Sequence, residues 1–284
     1  MSDISLLAGV NVLLEGATGT GKTFSIGTLC DSGVEVFYLG LENGFETLMG
    51  YYLDRGKPVP DNLHWHTLQV AVPGGFASMA DGAQQIGSMT YESITKIQDF
   101  TRSQNNQFEK ILRVLHNFHD QRTGTDFGAA DSWGPNRALV IDGLTGLGAF
   151  AMAMVVGKKP VKSQPDWGIA QDSLERLIRY ICDGCKCHFV LIAHVERETD
   201  PAFGGTKITV STLGRALPPK IPPMFSDVIL CTRDAKGWKW STANGLCDLK
   251  TRNLPFAEDI PQDFSKIVEK WKGRGGRFSP TVKV

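Results

Sequence analysis

The sequence predicts a three-layer α/β domain around a largely parallel sheet. Three observations lead there. Short, continuously apolar runs alternate with stretches of helical periodicity, as suits strands buried between two helical layers. One of those runs feeds directly into a glycine-rich loop, and the last runs are separated only by short turns.

In chain order, VNVLL (residues 10–14) is the first strand, and FSIGTLC (24–30), just past the glycine-rich loop, is the first helix. VEVFYLGL (34–41) is a second strand, residues 44–53 a helix, and the alternating HWHTLQVAV (64–72) a third strand. From residue 77 the chain turns polar, with Ile94, Ile97, Phe100, Phe108, Ile111, Leu112 and Leu115 at helical spacing. A helical insertion over about 77–135, closing in RTGTDFGAADSWGP, is expected there. RALVID (137–142) is a strand, AFAMAMVV and DSLERLIRYI are helices, and HFVLIAH (188–194) is a further strand. SDVILCTR, GWKWS and LCDLKTR, parted by DAKG and ANG, read as antiparallel strands joined by tight turns. Residues 1–262 are expected to form the core. The stretch 263–284, with Lys266, Lys270, Lys272, Arg274 and Arg277, is expected to be a basic, mobile tail.

Composition narrows the function classes. With 42% hydrophobic residues among 284, the chain is a globular protein rather than a disordered or fibrous one. Thirty basic residues balance thirty acidic ones, so no global field draws it to nucleic acid or an anionic membrane. Any polyanion must be met by local patches. The N-terminus lacks the features of a secretory signal, and the longest apolar stretch, 138–157, is broken by Asp142 and glycines. A cytoplasmic protein without a membrane span is the expectation. Six cysteines are then most simply reduced thiols. The cluster Cys182, Cys185 and Cys187 lacks the second C-x-x-C that would complete a zinc tetrahedron.

The loop is Gly16-Ala17-Thr18-Gly19-Thr20-Gly21-Lys22-Thr23, which fits G-x-x-x-x-G-K-[ST]. Its glycines let successive N–H groups turn inward onto phosphate oxygens, and the following helix adds its positive end. Lys22 should reach the β and γ phosphates of a nucleoside triphosphate, and the Thr23 hydroxyl should ligate magnesium.

A second acid is needed to hold the magnesium through water, and Asp142 at the end of ALVID fits, although it could instead cap the next helix. Glu42, just past a strand end, could direct the attacking water or simply serve a helix first turn; Glu46 is its alternative. His194 closes HFVLIAH at the level of the γ-phosphate, either as a sensor or as an ordinary strand-end polar residue. The pairs His64 with His66 and His116 with His119 have metal-like spacing without an obvious carboxylate, and read as structural.

Taken in order, GATGTGKT, the glutamate of YLGLEN, ALVIDGLTGL, LIAHVE and LKTRN resemble the RecA-like ATPases. The resemblance is specifically to short phage-encoded nucleotide-binding or single-strand annealing proteins, and it spans most of residues 9–256. It implies ATP and Mg2+ as cofactors and a homo-oligomer in which Lys250 and Arg252 reach a neighbour's γ-phosphate; alternation on a strand would put both on one face. It also implies that single-stranded DNA binds two loops, one carrying Lys158, Lys159 and Lys162, the other Lys207, Arg215 and Lys220. The function so implied is ATP hydrolysis coupled to recombination or annealing. A nucleotide-dependent regulatory or assembly protein and a phosphotransferase are the rival readings. The pattern departs from the family in His194, where bacterial RecA has glutamine, and in the long stretch 77–135. The short lead-in before the loop also suggests that a polymerisation arm is missing.

Overall fold

The computed structural model describes residues 7–68, 75–97, 106–157, 159, 161–199 and 204–278. Its centre is an eight-stranded sheet. The strands are β1 (Asn11–Gly16), β2 (Glu35–Gly40), β3 (Leu63–Thr67), β4 (Arg137–Asp142), β5 (His188–Ala193), β8 (Asp227–Asp234), β9 (Gly237–Ser241) and β10 (Ile260–Pro261). They run in the order β10-β9-β8-β1-β5-β4-β2-β3. From β8 to β3 every pairing is parallel; only β9 and β10 are antiparallel. This is an α/β architecture with a mainly parallel sheet, and the antiparallel C-terminal strands close one edge.

Side chains alternate across each strand, so the sheet divides the core into two apolar clusters. On one side Val12, Leu14, Tyr38 and Val140 meet α1 (Lys22–Asp31), α2 (Phe45–Leu53) and α8 (Ser265–Gly273). On the other, Leu13, Phe37, Leu139 and Leu191 meet α5 (Gln107–His116), α6 (Leu144–Val156) and α7 (Gln164–Gly184). The α7 helix starts from a capping box, in which Ser163 and Asp166 exchange side-chain and backbone hydrogen bonds.

Parallel pairing aligns the strand ends. Gly40 lies opposite Asp142, Asp142 opposite Ile192, and Glu15 opposite Ala193. The residues that follow each strand therefore gather along one edge, where open α/β sheets hold ligands.

Four expectations need correction. LCDLKTR is not a strand: it makes only isolated bridges at Cys247 and Lys250. The cause is Asp227, fully buried, whose carboxylate accepts the amides of Arg252 and Asn253 at 2.8 and 2.9 Å and bends the chain into a turn. The tail from 263 is not a mobile segment over its described part, because α8 buries Ile267, Val268 and Trp271, and Trp271 Nε1 donates to Ala8 O at 2.8 Å. The stretch after β5, expected as a loop, is a hairpin of β6 (Val195–Thr199) and β7 (Thr206–Val210). The stretch expected as a helical insertion does carry helices: α3 (Gly75–Gly87) and α4 (Tyr91–Thr95) bury nothing, whereas α5 sends Phe108, Ile111 and Val114 into the core. SDVILCTR pairs in parallel with β1 and is antiparallel only to β9. The end of the third expected strand, residues 69–72, and Phe100 lie outside the described residues.

Candidate functional site

The loop between β1 and α1 adopts a conformation that only its glycines allow. Gly19 and Gly21 have φ of 76° and 81°, in the left-handed region. A Cβ on Gly21 would lie 2.5 Å from Gln262 Oε1 and 2.8 Å from Trp238 Cδ2. No side chain caps α1, which leaves first-turn amides of the helix for an anion. Lys22 folds back across the loop, its Nζ donating to Gly16 O and Ala17 O at 2.8 Å each. Burial pushes its pKa down, against the opposing pull of Cys231, Asp142 and Glu42.

Asp142, at the end of β4, is 5% exposed. Its Oδ2 accepts from both Thr23 Oγ1 and Tyr38 OH at 2.7 Å. Burial raises its pKa, and the two hydroxyl donors offset part of that rise. A hydroxyl and a carboxylate in contact beside the loop are the hard oxygen donors that magnesium takes. Among the described residues no group of three His, Cys, Asp or Glu could cage a metal. Magnesium in such sites is held by one or two protein oxygens together with phosphates, so Thr23 and Asp142 fit the ion without a cage. Cys182, Cys185 and Cys187 are free, buried thiols. His64 lies between Asp120 and Glu35 at 3.1 and 3.4 Å. His66 bonds the His119 carbonyl, and His119 pairs with Asp126.

Glu42 stands two residues past β2. Its Oε2 faces His194 Nε2 at 3.2 Å, and its Oε1 accepts the Gly146 amide of α6 at 3.0 Å. The His194 hydrogen bond, with help from that amide and from Lys22, outweighs burial and lowers the Glu42 pKa. It is therefore a carboxylate at neutral pH. The chain passes close behind it: Gly143 has φ of 120°, and a Cβ there would come within 2.7 Å of Glu42 Cγ. Glu46 is exposed in the first turn of α2 and stands outside the lining.

These groups line one cavity of about 260 Å3, bounded by residues 18–23, Glu42, Asn43, Gly44, Thr47, Asp142, His194 and Trp238. Tyr38 and Trp238 were not legible as site residues. Tyr38 reads as one more apolar strand residue, and Trp238 arrives from a hairpin 219 positions after Gly19.

The remaining expected residues lie elsewhere. Lys250 and Arg252 do not share a strand face: Lys250 Nζ donates to Phe225 O and Pro223 O at 2.7 and 3.3 Å, and Arg252 is exposed in the turn around Asp227. Lys158 lies outside the described residues. Lys159 pairs with Asp166 at 2.9 Å, and Lys162 sits 5.3 Å over the Trp167 ring. Both lysines border a largely apolar groove of about 470 Å3 beside α6. Lys207 pairs with Asp248 and Lys220 with Glu175, each at 2.8 Å. Arg215 is exposed at the mouth of a third cavity that Glu15 also lines.

No protein-family model matches the chain, and no curated protein sequence does. Among solved structures it is similar to a RadB recombinase, at 14% identity and a TM-score of 0.41, over 89% of this chain and 86% of that one. It is also similar to the flagellar accessory protein FlaH from Methanocaldococcus jannaschii, at 12% identity and a TM-score of 0.36, over 89% and 84%. Likenesses this distant leave the class to be read from the molecule itself: a mainly parallel α/β sheet with the glycine-rich loop of residues 16–23 at its edge. Among the described residues no helix is long and apolar enough to cross a membrane.

Proposed function

We propose that the chain is a RecA-like ATPase acting on single-stranded DNA in phage-type recombination or strand annealing. The observation that carries the ATPase reading is the convergence of Lys22, Thr23, Asp142 and the ionised Glu42 on a single cavity at the sheet edge. The loop amides and the N-terminus of α1 bind the phosphates, and Lys22 exchanges its two carbonyl contacts for phosphate oxygens. Thr23 and Asp142 would hold Mg2+, which when bound neutralises phosphate charge. Glu42 orients the attacking water and takes its proton, while His194 and the Gly146 amide fix the position of its two oxygens.

In this reading Lys250 and Arg252 act on a neighbouring subunit's nucleotide, and Arg252, exposed, is the better placed of the two. DNA would contact the groove bordered by Lys159 and Lys162, with Lys158, Lys207, Arg215 and Lys220 as further phosphate contacts. ATP turnover by wild-type protein and Glu42→Gln, with and without single-stranded DNA across a salt series, is the test. A fall of about 100-fold or more in the variant, with ATP still bound, is expected. DNA stimulation should fade steeply with salt. Unchanged turnover in the variant removes Glu42 from the chemistry, and no response to DNA at any salt favours a regulatory ATPase.

A further inference from the structure

The cavity has one feature that phosphate binding does not use. Trp238 is the one Phe, Tyr or Trp among its described lining residues, and it is 40% exposed. Trp238 and Trp240 lie two apart on β9 and so share a face. Trp240 is wholly buried in the core, whereas Trp238 packs on Phe24 of α1 and lies over Gly21 of the loop. An indole partly open to solvent at the rim of the pocket offers its ring to whatever the pocket holds.

The indole is held in place from several sides. Its Nε1 donates to Gly19 O at 3.0 Å, and its ring meets Phe24 edge to face with centroids 4.8 Å apart. Gln262 Nε2 bridges Thr20 O and Lys239 O at 2.8 and 3.1 Å, tying β9 to the loop. Lys239 in turn pairs with Asp234 and Asp259, each at 2.7 Å, and this stiffens the β8–β9 hairpin. A platform fixed in this way loses little conformational freedom when a flat ligand settles on it.

We infer that Trp238 is the nucleobase platform of this site, stacking the base of a nucleoside triphosphate whose phosphates lie in the Gly16–Thr23 loop. The inference rests on the reading of that loop as a triphosphate cradle. Stacking reads the π-face that every base has, so purine nucleotides should bind with similar strength.

The test measures binding of ATP, GTP and inorganic tripolyphosphate, each with Mg2+, to the wild-type chain, Trp238→Ala and Trp238→Phe. Removing a stacking ring should weaken ATP and GTP by roughly tenfold or more. Tripolyphosphate, which has no base, should bind the alanine variant as it binds wild type. The phenylalanine variant, which keeps a ring, should recover most of the nucleotide affinity. ATP should also quench tryptophan emission more in wild type than in Trp238→Phe. If ATP and tripolyphosphate weaken together, the indole only braces the loop through Gly19 and the platform is overturned. Unchanged ATP affinity in Trp238→Ala overturns it as well. Wild-type protein that binds no tripolyphosphate overturns the loop reading and the platform with it, whereas loss confined to the base-dependent arm leaves the loop reading standing.

Discussion

Two acids buried in adjacent strands meet opposite fates. Asp227 opens β8 and is 0% exposed; Glu15 lies near the end of β1 and is 2% exposed. Asp227 collects five donors: the amides of Arg252 and Asn253, the Asn253 side-chain amide, and the hydroxyls of Ser226 and Thr251. Among the described residues no side-chain hydrogen bond reaches the Glu15 carboxyl, and burial, with a smaller contribution from Asp248, pushes its pKa up to about 8. Equal burial thus goes with a carboxyl held by five donors at one end of the sheet and, beside the glycine-rich loop, one whose pKa burial pushes up. Asp142 stands between these cases, with two hydroxyl donors. Hydrogen-bond donors around a buried acid offset the cost of desolvating its charge, and Glu15 lacks that offset.

The largest effect that would break this comparison is at Asp227. Its removal by Asp227→Ala leaves buried donors unpaired and should cost on the order of 3 kcal/mol or more. Chemical denaturation would show this as a lower midpoint, and hydrogen exchange should rise first in residues 250–254. A loss below about 1 kcal/mol would mean that the turn holds itself.

Glu15 should behave in the opposite sense. Its folded pKa, about 8, lies above the unfolded value near 4.5, so the folded chain keeps a proton that the unfolded chain releases. Its contribution is complete below the unfolded pKa and is lost as pH rises through the folded one. Glu15→Gln, which carries no such proton, should therefore gain on wild type as pH rises from 5 to 8, by on the order of 3 kcal/mol at pH 8. Melting temperatures of both proteins across that range check it, and parallel curves would sink the assignment.

The smallest effect sharpens the middle case. Tyr38→Phe removes one of the two donors to Asp142. It should cost about 1 kcal/mol of stability and move the Asp142 pKa further up, so that Mg2+-dependent ATP binding weakens more at pH 6 than at pH 8. Equal weakening at both values would show that Thr23 alone sets the state of Asp142.

What the sequence determined by itself is the local chemistry. The turn of GATGTGKT is written into its own glycines and the helix that continues it, although Trp238 and Gln262 also hold its carbonyls. The buried strands were legible as short apolar runs, and parallel strands end together. The positions of Lys22, Thr23, Glu42, Asp142 and His194 near one edge therefore followed from the chain pattern. Their contacts, such as His194 against Glu42, did not.

Tertiary structure decided whatever depended on long-range satisfaction of charge and surface. Lys250 was expected on a strand beside Arg252, but the buried Asp227 carboxylate bends that segment into a turn. The basic tail was expected to be mobile, yet Ile267, Val268 and Trp271 supply enough apolar surface on one face of α8 to dock it. Lys159, Lys207 and Lys220 looked like unpaired loop cations until folding brought Asp166, Asp248 and Glu175 within reach. Trp238 joins the site only because β9 pairs antiparallel with β8 and β8 lies beside β1. A linear pattern records how each residue continues its own element, whereas a partner hundreds of positions away is set by the packing of the whole sheet.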